Sequence, residues 1–111
     1  MKRIEAIIQP HKLGAVITAL HELPHFPGFT VFDGHGQGHG RGKGGVFAYD
    51  NNEGLLYHRR RILVVLCETA IASSIVQTII NAAHTGQPGD GLITVFDVET
   101  TIRIGKPEDR A

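Results

Sequence analysis

The chain lacks the features that would tie it to nucleic acid, to a membrane or to an oxidising compartment. Its 111 residues hold 11 Lys plus Arg and 11 Asp plus Glu, so no global field draws it to nucleic acid or acidic lipid. A single cysteine, Cys67, excludes an internal disulfide and is typical of a small buried side chain in a reducing compartment. No signal-peptide pattern and no apolar run of roughly 18 residues is found. The sequence predicts a cytoplasmic protein that is not membrane-inserted.

Recognisable catalytic motifs are also missing. The sequence has no GxSxG, CxxC or HExxH motif and no paired-carboxylate site. Thr85 and Asp90 are better explained as ligand-binding and loop-supporting residues than as a catalytic pair. We therefore expect no enzyme, and an enzyme of unknown reaction is the weakest alternative.

Hydrophobic periodicity predicts one α+β domain spanning residues 1–111. Apolar alternation indicates a strand at 4–8, and further strands are predicted at 29–32, at 58–66, where ILVVL is apolar on both faces, and at 92–98 after the glycine loop. The i, i+3, i+4 pattern indicates helices after Pro10 and after Thr69, which can cap the second helix. The order βαββαβ is that of a ferredoxin-like sandwich with both helices on one face of an antiparallel sheet. The uncovered face, with Ile7, Val64 or Val65, and Val95 as candidates, is expected to be buried in an oligomer.

Residues 84–91, HTGQPGDG, are the part of the sequence most suggestive of ligand binding. Three glycines remove side chains that would hold a ligand away, and several backbone N–H groups could converge on an anion. A helix C-cap followed by an ordinary turn is the structural alternative.

This segment continues as TGQPGDGLITVFDVETTIR, and together with the opening MKRIEAIIQPHKL and GFTV at 28–31 it resembles the PII signal-transduction family. The resemblance is strong at both ends of the chain and weak between about residues 34 and 61. It implies a trimer that binds an adenine nucleotide in clefts between subunits and acts through a long T-loop, here at about 36–60. The nucleotide-binding residues it implies are Ile7, Gly28, Phe29, Thr30, Gly36, Gln37, Gly38, Val65, Thr85, Gly86, Gly89, Asp90, Gly91 and Arg103.

The chain departs from the PII pattern where the phosphates would bind. Leu92 stands in place of the family's lysine and Gly105 in place of its second arginine, so that Arg103 alone remains. Each lost charge-assisted contact removes about 1.5–3 kcal/mol, which favours ADP or AMP over ATP. The missing positive charge could come from His39, Arg41 or Lys43, or from the run Arg59–Arg61. Within that run, strand alternation puts Arg59 and Arg61 on one face and Arg60 on the other.

The segment 33–45 has glycine at every even position from Gly34 to Gly44. If it is extended, the glycines share one face, and the odd-numbered residues form a polar comb on the other. A flexible linker is the alternative.

Histidines in and near the comb suggest a metal site, because imidazole binds zinc, copper and nickel. His35 and His39 are the candidate ligands, with His58 as a third. Residues four apart on an extended strand lie roughly 13 Å apart, so the loop would have to curl or neighbouring subunits would have to contribute.

The sequence thus predicts a PII-like regulator. It would be a homotrimer that binds a small-molecule effector, with ADP or AMP favoured and ATP as a further candidate, and that controls a protein partner, such as a membrane transporter, through its T-loop. The alternative is a His-rich metal-binding or metal-sensing PII-like module, linked to metal efflux, that has lost nucleotide binding.

Overall fold

The computed structural model describes residues 1–37 and 58–105, which form four strands and two helices. In chain order they are β1 (Lys2–Ile8), α1 (Leu13–His21), β2 (Thr30–Gly36), β3 (His58–Cys67), α2 (Thr69–Ala83) and β4 (Gly91–Asp97). A turn of 3-10 helix, Pro10–Lys12, leads into α1. This order confirms the predicted ferredoxin-like α+β fold.

The sheet has the order β2-β3-β1-β4, and every neighbouring pair is antiparallel. The central strands are therefore β1 and β3, which are far apart in sequence. The edge strands are β2, which follows α1, and β4, which follows α2. The glycine-rich segments 34–36 and 84–91 consequently lie at opposite edges of the sheet.

One face of the sheet is covered by both helices and forms the core. Alternate residues of β1, namely Ile4, Ala6 and Ile8, are buried there because strand side chains alternate between faces. The other fully or almost fully buried core residues are Val16, Leu20, Leu63, Val65, Cys67, Ile75 and Ile79. Burial raises the pKa of the Cys67 thiol, and its position confirms the interpretation as a small buried side chain.

The second face carries an apolar row across all four strands that the described residues leave uncovered. Residues directly opposite in antiparallel strands share a face, and the register aligns Phe32, Ile62, Ile7 and Leu92. Phe32 is 53% exposed and Leu92 is 60% exposed. We call this surface the open face; it has the apolar character that the sequence predicted.

The register also corrects two of the predicted open-face residues. Val64 lies on the open face, whereas Val65 is fully buried on the helix-covered face. Val95 is directly opposite Ile4, so it belongs to the helix-covered side, and its placement on the open face was wrong. It remains partly exposed because β4 is an edge strand.

The start of α2 differs from the prediction. Glu68 is the N-cap of α2, and Thr69 is its first helical residue, so the predicted Thr69 cap is wrong. The Thr69 hydroxyl instead accepts a hydrogen bond of 3.2 Å from the Met1 amine. Among the described residues, no helix is long and apolar enough to cross a membrane.

Candidate functional site

The loop that joins α2 to β4 is folded around the Asp90 carboxylate. One carboxylate oxygen accepts hydrogen bonds from the backbone N–H groups of Thr85 at 2.8 Å and Gly86 at 3.2 Å. The Thr85 hydroxyl donates to the other oxygen. This hydroxyl, followed by the Thr85 and Gly86 N–H groups, lowers the pKa of Asp90, so the carboxylate is ionised at neutral pH and holds the loop closed.

Three backbone N–H groups of the loop are engaged within the loop itself, and the convergence of such groups on an anion stays a prediction. The N–H groups of Thr85 and Gly86 are engaged by Asp90, and that of Gln87 donates to the Thr85 hydroxyl oxygen at 3.1 Å. The loop is thus held in its conformation by its own hydrogen bonds. These three N–H groups are not available to an anion while the loop keeps this conformation.

Glycine is required where the loop meets β1. Gly86, Gly89 and Gly91 all have positive φ, and that of Gly91 is 108°. A side chain at Gly91 would collide with the carbonyl oxygen of Ile7. The close approach of the two backbones brings the loop directly to Ile7, one of the predicted adenine-contacting residues.

Two side chains from the sheet converge on the far end of the loop. The Gly89 carbonyl accepts hydrogen bonds from Gln9 Nε2 at 2.8 Å and from Arg60 Nη2 at 3.4 Å. The Arg60 guanidinium is further fixed through Nη1, which donates to the Arg59 carbonyl at 2.9 Å. Arg60 lies directly opposite Gly34, on the open face, as the alternation of the arginine run predicted.

Sequence reasoning missed Gln9. Its only signal is its position, since it follows the last residue of β1 and precedes Pro10, which closes the strand.

The remaining nucleotide candidates lie at the other edge of the sheet, along β2. Gly28, with a φ of 81°, precedes this strand, and Thr30 begins it on the open face opposite Val64. Phe29 packs partly against the core, and Gly36 and Gln37 lie at the far end of the strand. Three interstrand spacings of about 4.8 Å separate β2 from β4, so the two groups are about 14 Å or more apart within one chain.

Three further candidates fall outside both groups. Val65 is buried in the core, so its side chain does not face the open side. Arg103 lies in the exposed segment that follows β4. Gly38 lies outside the described residues.

The described part of the segment 33–45 has the predicted alternation between glycine and polar residues. Gly34 and Gly36 are opposite Arg60 and His58 on the open face, and His35 is opposite Arg59 on the other face. A Cβ at Gly34 would lie 2.6 Å from Cδ1 of Ile62, the end of a side chain that would have to shift to make room for it. At the ends of the predicted T-loop, Gly36 belongs to β2 and residues 58–60 belong to β3. Residues 38–57 of this loop lie outside the described residues.

The same register separates two of the three candidate metal ligands. His35 and His58 occupy adjacent strands but opposite faces of the sheet, so one chain cannot direct both imidazoles at one ion while this pairing holds. The third candidate, His39, lies outside the described residues. In 1–37 and 58–105, no group of three or more His, Cys, Asp or Glu side chains could hold a metal ion.

The fold and the loop define a ferredoxin-like α+β domain with a preformed glycine loop at one sheet edge. The family model described as nitrogen regulatory protein P-II matches residues 1–108. The chain is 40% identical over 105 residues to the nitrogen regulatory protein P-II of Azospirillum brasilense, covering 94% of this chain and 91% of that protein. It is also 40% identical over 114 residues to that of Klebsiella oxytoca and to nitrogen regulatory protein P-II 1 of Escherichia coli, covering 100% of this chain and 99% of each relative. The chain belongs to the P-II family.

Proposed function

We propose that this protein is a cytoplasmic, non-enzymatic PII-like regulator that acts as a homotrimer. An adenine nucleotide binds between copies, with the loop at 85–91 of one copy on one side and the β2 edge of the next copy on the other. Nucleotide occupancy then controls a protein partner, such as a membrane transporter, through the T-loop.

The observation that carries this proposal is the division of the candidate residues between two sheet edges. A ligand that contacts both Gly89 and Thr30 cannot do so within one chain, because β3 and β1 lie between the edges that carry these groups. A cyclic assembly that brings β4 of one copy to β2 of the next joins the two groups. The exposed apolar row of the open face supports such an assembly, because burying it in the ring removes Phe32 and Leu92 from water.

The preference for ADP or AMP follows from the charges near the loop. Leu92 is directly opposite Ile7 on the open face and offers no charge to a phosphate. Arg60 supplies one guanidinium beside Gly89, and Arg103 is the aligned arginine of the family pattern. Two cations suit one or two phosphates better than three, so ATP should gain little over ADP.

The metal-sensing alternative loses support from the strand register. A zinc site would need two or more imidazoles about 2 Å from one ion, and His35 and His58 face away from each other across the sheet.

Light scattering and calorimetry test the proposal together. We expect a particle of about 36 kDa, three times the chain mass of 12.0 kDa. ADP or AMP should bind at least as tightly as ATP. Arg60→Gln and Arg103→Ala should each weaken all three ligands about tenfold, because each removes a charge-assisted contact to phosphate.

Arg59→Gln is the matched control, since it removes the same charge from the opposite face of the same strand. It should leave nucleotide affinity within about twofold of the wild type. A monomer at micromolar concentration would disprove the intersubunit site. ATP binding that far exceeds ADP binding and survives Arg103→Ala would disprove the phosphate placement.

A further inference from the structure

The base of the β2–β3 hairpin carries a second charged surface on the face opposite Arg60. Leu63 of β3 is buried against the helices, so Arg61 and Arg59 lie on that same side by alternation. Their cross-strand partners on β2 are Asp33 and His35. We call these four residues the stem patch.

Only one of the two arginines is neutralised within the described chain. Arg61 Nη1 donates to Asp33 Oδ1 at 2.6 Å, and both groups are partly exposed. Arg59 is exposed, and within 1–37 and 58–105 its guanidinium has no ion-pair partner. Among the residues that the structure describes, the patch therefore contains one arginine, Arg59, that no carboxylate pairs.

Further positive charge lies nearby. The turn Pro10–Lys12, which carries His11 and Lys12, packs against β3. Arg61 also has a buried Nε that donates no hydrogen bond to any described residue. Arg61 is held in place by Asp33, and the exposed guanidinium of Arg59 lies beside it on the same face. Such an arrangement suits further carboxylates, because a planar guanidinium can bind both oxygens of one carboxylate.

The stem patch is separate from the candidate nucleotide site. Arg60 and the loop at 85–91 belong to the open face, whereas Arg59 and Arg61 project from the helix-covered side of the same strand. A phosphate bound by Arg60 consequently leaves Arg59 free to meet another anion.

We infer that the stem patch docks an acidic segment of a partner protein, which pairs its carboxylates with Arg59 and with the outer side of the Arg61–Asp33 pair. The charge complementarity is local, because the chain as a whole has no net charge. The inference rests on the proposed regulatory function for the existence of a partner, but it makes no use of the nucleotide.

An oligoglutamate peptide carrying a fluorophore is a suitable probe, with the matched oligoglutamine peptide as its uncharged control. Fluorescence anisotropy at low salt should detect binding of the first peptide and not of the second. Arg59→Gln should weaken oligoglutamate binding about fivefold and leave AMP affinity unchanged. Arg60→Gln should weaken AMP and leave oligoglutamate binding within about twofold.

The opposite results overturn the inference. These are an absence of oligoglutamate binding by the wild type, equal binding of oligoglutamine, or equal losses in Arg59→Gln and Arg60→Gln, which would indicate a diffuse charge effect. Circular dichroism and light scattering verify that both variants keep the wild-type fold and mass. Oligoglutamate binding that depends on Arg59 in a protein that binds no AMP would disprove the nucleotide site and leave the stem patch standing.

Discussion

The two edges of the sheet hold the two groups of candidate binding residues in different ways. At the β4 edge, the loop is fixed by Asp90 within itself, by Gln9 and Arg60 from the sheet and by close backbone contact at Gly91. At the β2 edge, the strand alternates glycine with exposed polar residues, and the ion pair Asp33–Arg61 links it to β3. The loop is therefore held by side-chain hydrogen bonds and a close backbone contact, whereas β2 is held by its ladder with β3 and one exposed ion pair. The contrast predicts that substitutions at the loop cost more stability than substitutions at the β2 edge.

The largest test of this contrast is one substitution made at both edges. Gly91→Ala should lower the free energy of unfolding by about 3 kcal/mol or more, because the new Cβ meets the Ile7 carbonyl and φ is positive. Gly36→Ala enters open space at ordinary φ and should change stability by less than about 0.5 kcal/mol. Urea unfolding followed by circular dichroism measures both. Similar losses would show that the two edges are equally constrained.

A smaller effect is expected from weakening the loop's internal bonds. Because the pKa of Asp90 is lowered in the folded loop, its contribution is present above the ordinary carboxyl pKa, near 4, and is lost as pH falls through the lower folded value. Thr85→Val removes the largest cause of that lowering. NMR titration of the Asp90 carboxyl should show its pKa moved upward in Thr85→Val and unchanged in the control Thr94→Val. An unshifted pKa in Thr85→Val would show that the hydroxyl does not stabilise the ionised carboxylate.

The smallest effect is expected at the β2 edge. Asp33→Asn breaks an ion pair whose side chains are 65% and 33% exposed, and such pairs contribute between about 0 and 1 kcal/mol. Thermal unfolding should therefore move by only a few degrees. A loss of stability as large as that of Gly91→Ala would reverse the order proposed for the two edges.

Most of the fold could be predicted from the sequence, because both helices and all four strands have clear periodicity or clear boundaries. The faces of β3 and β4 could not be. In ILVVL and in LITVF, apolar residues occur at both odd and even positions, so the pattern does not show which residues face the core. Only the pairing with β1 separates Val64 from Val65 and places Val95 beside the core.

The sequence predicted which segment forms the candidate site, but not the hydrogen bonds made within and around that segment. The glycines of 84–91 predicted the loop, since positive φ and close approach favour this residue. Which donors remain for a ligand depends on where Asp90 points. The meeting of Gln9 and Arg60 at Gly89 joins residues 80 and 29 positions apart, and no local pattern encodes it.

In the proposed trimer, the placement of the two candidate groups at opposite sheet edges would link nucleotide binding to protein concentration. If each cleft needs the loop of one copy and the β2 edge of another, a ligand that binds only the closed ring stabilises that ring by mass action. Dilution would then release nucleotide even at constant nucleotide concentration, and added nucleotide would slow subunit exchange. In a cell, the amount of this protein would itself set the sensitivity of the response.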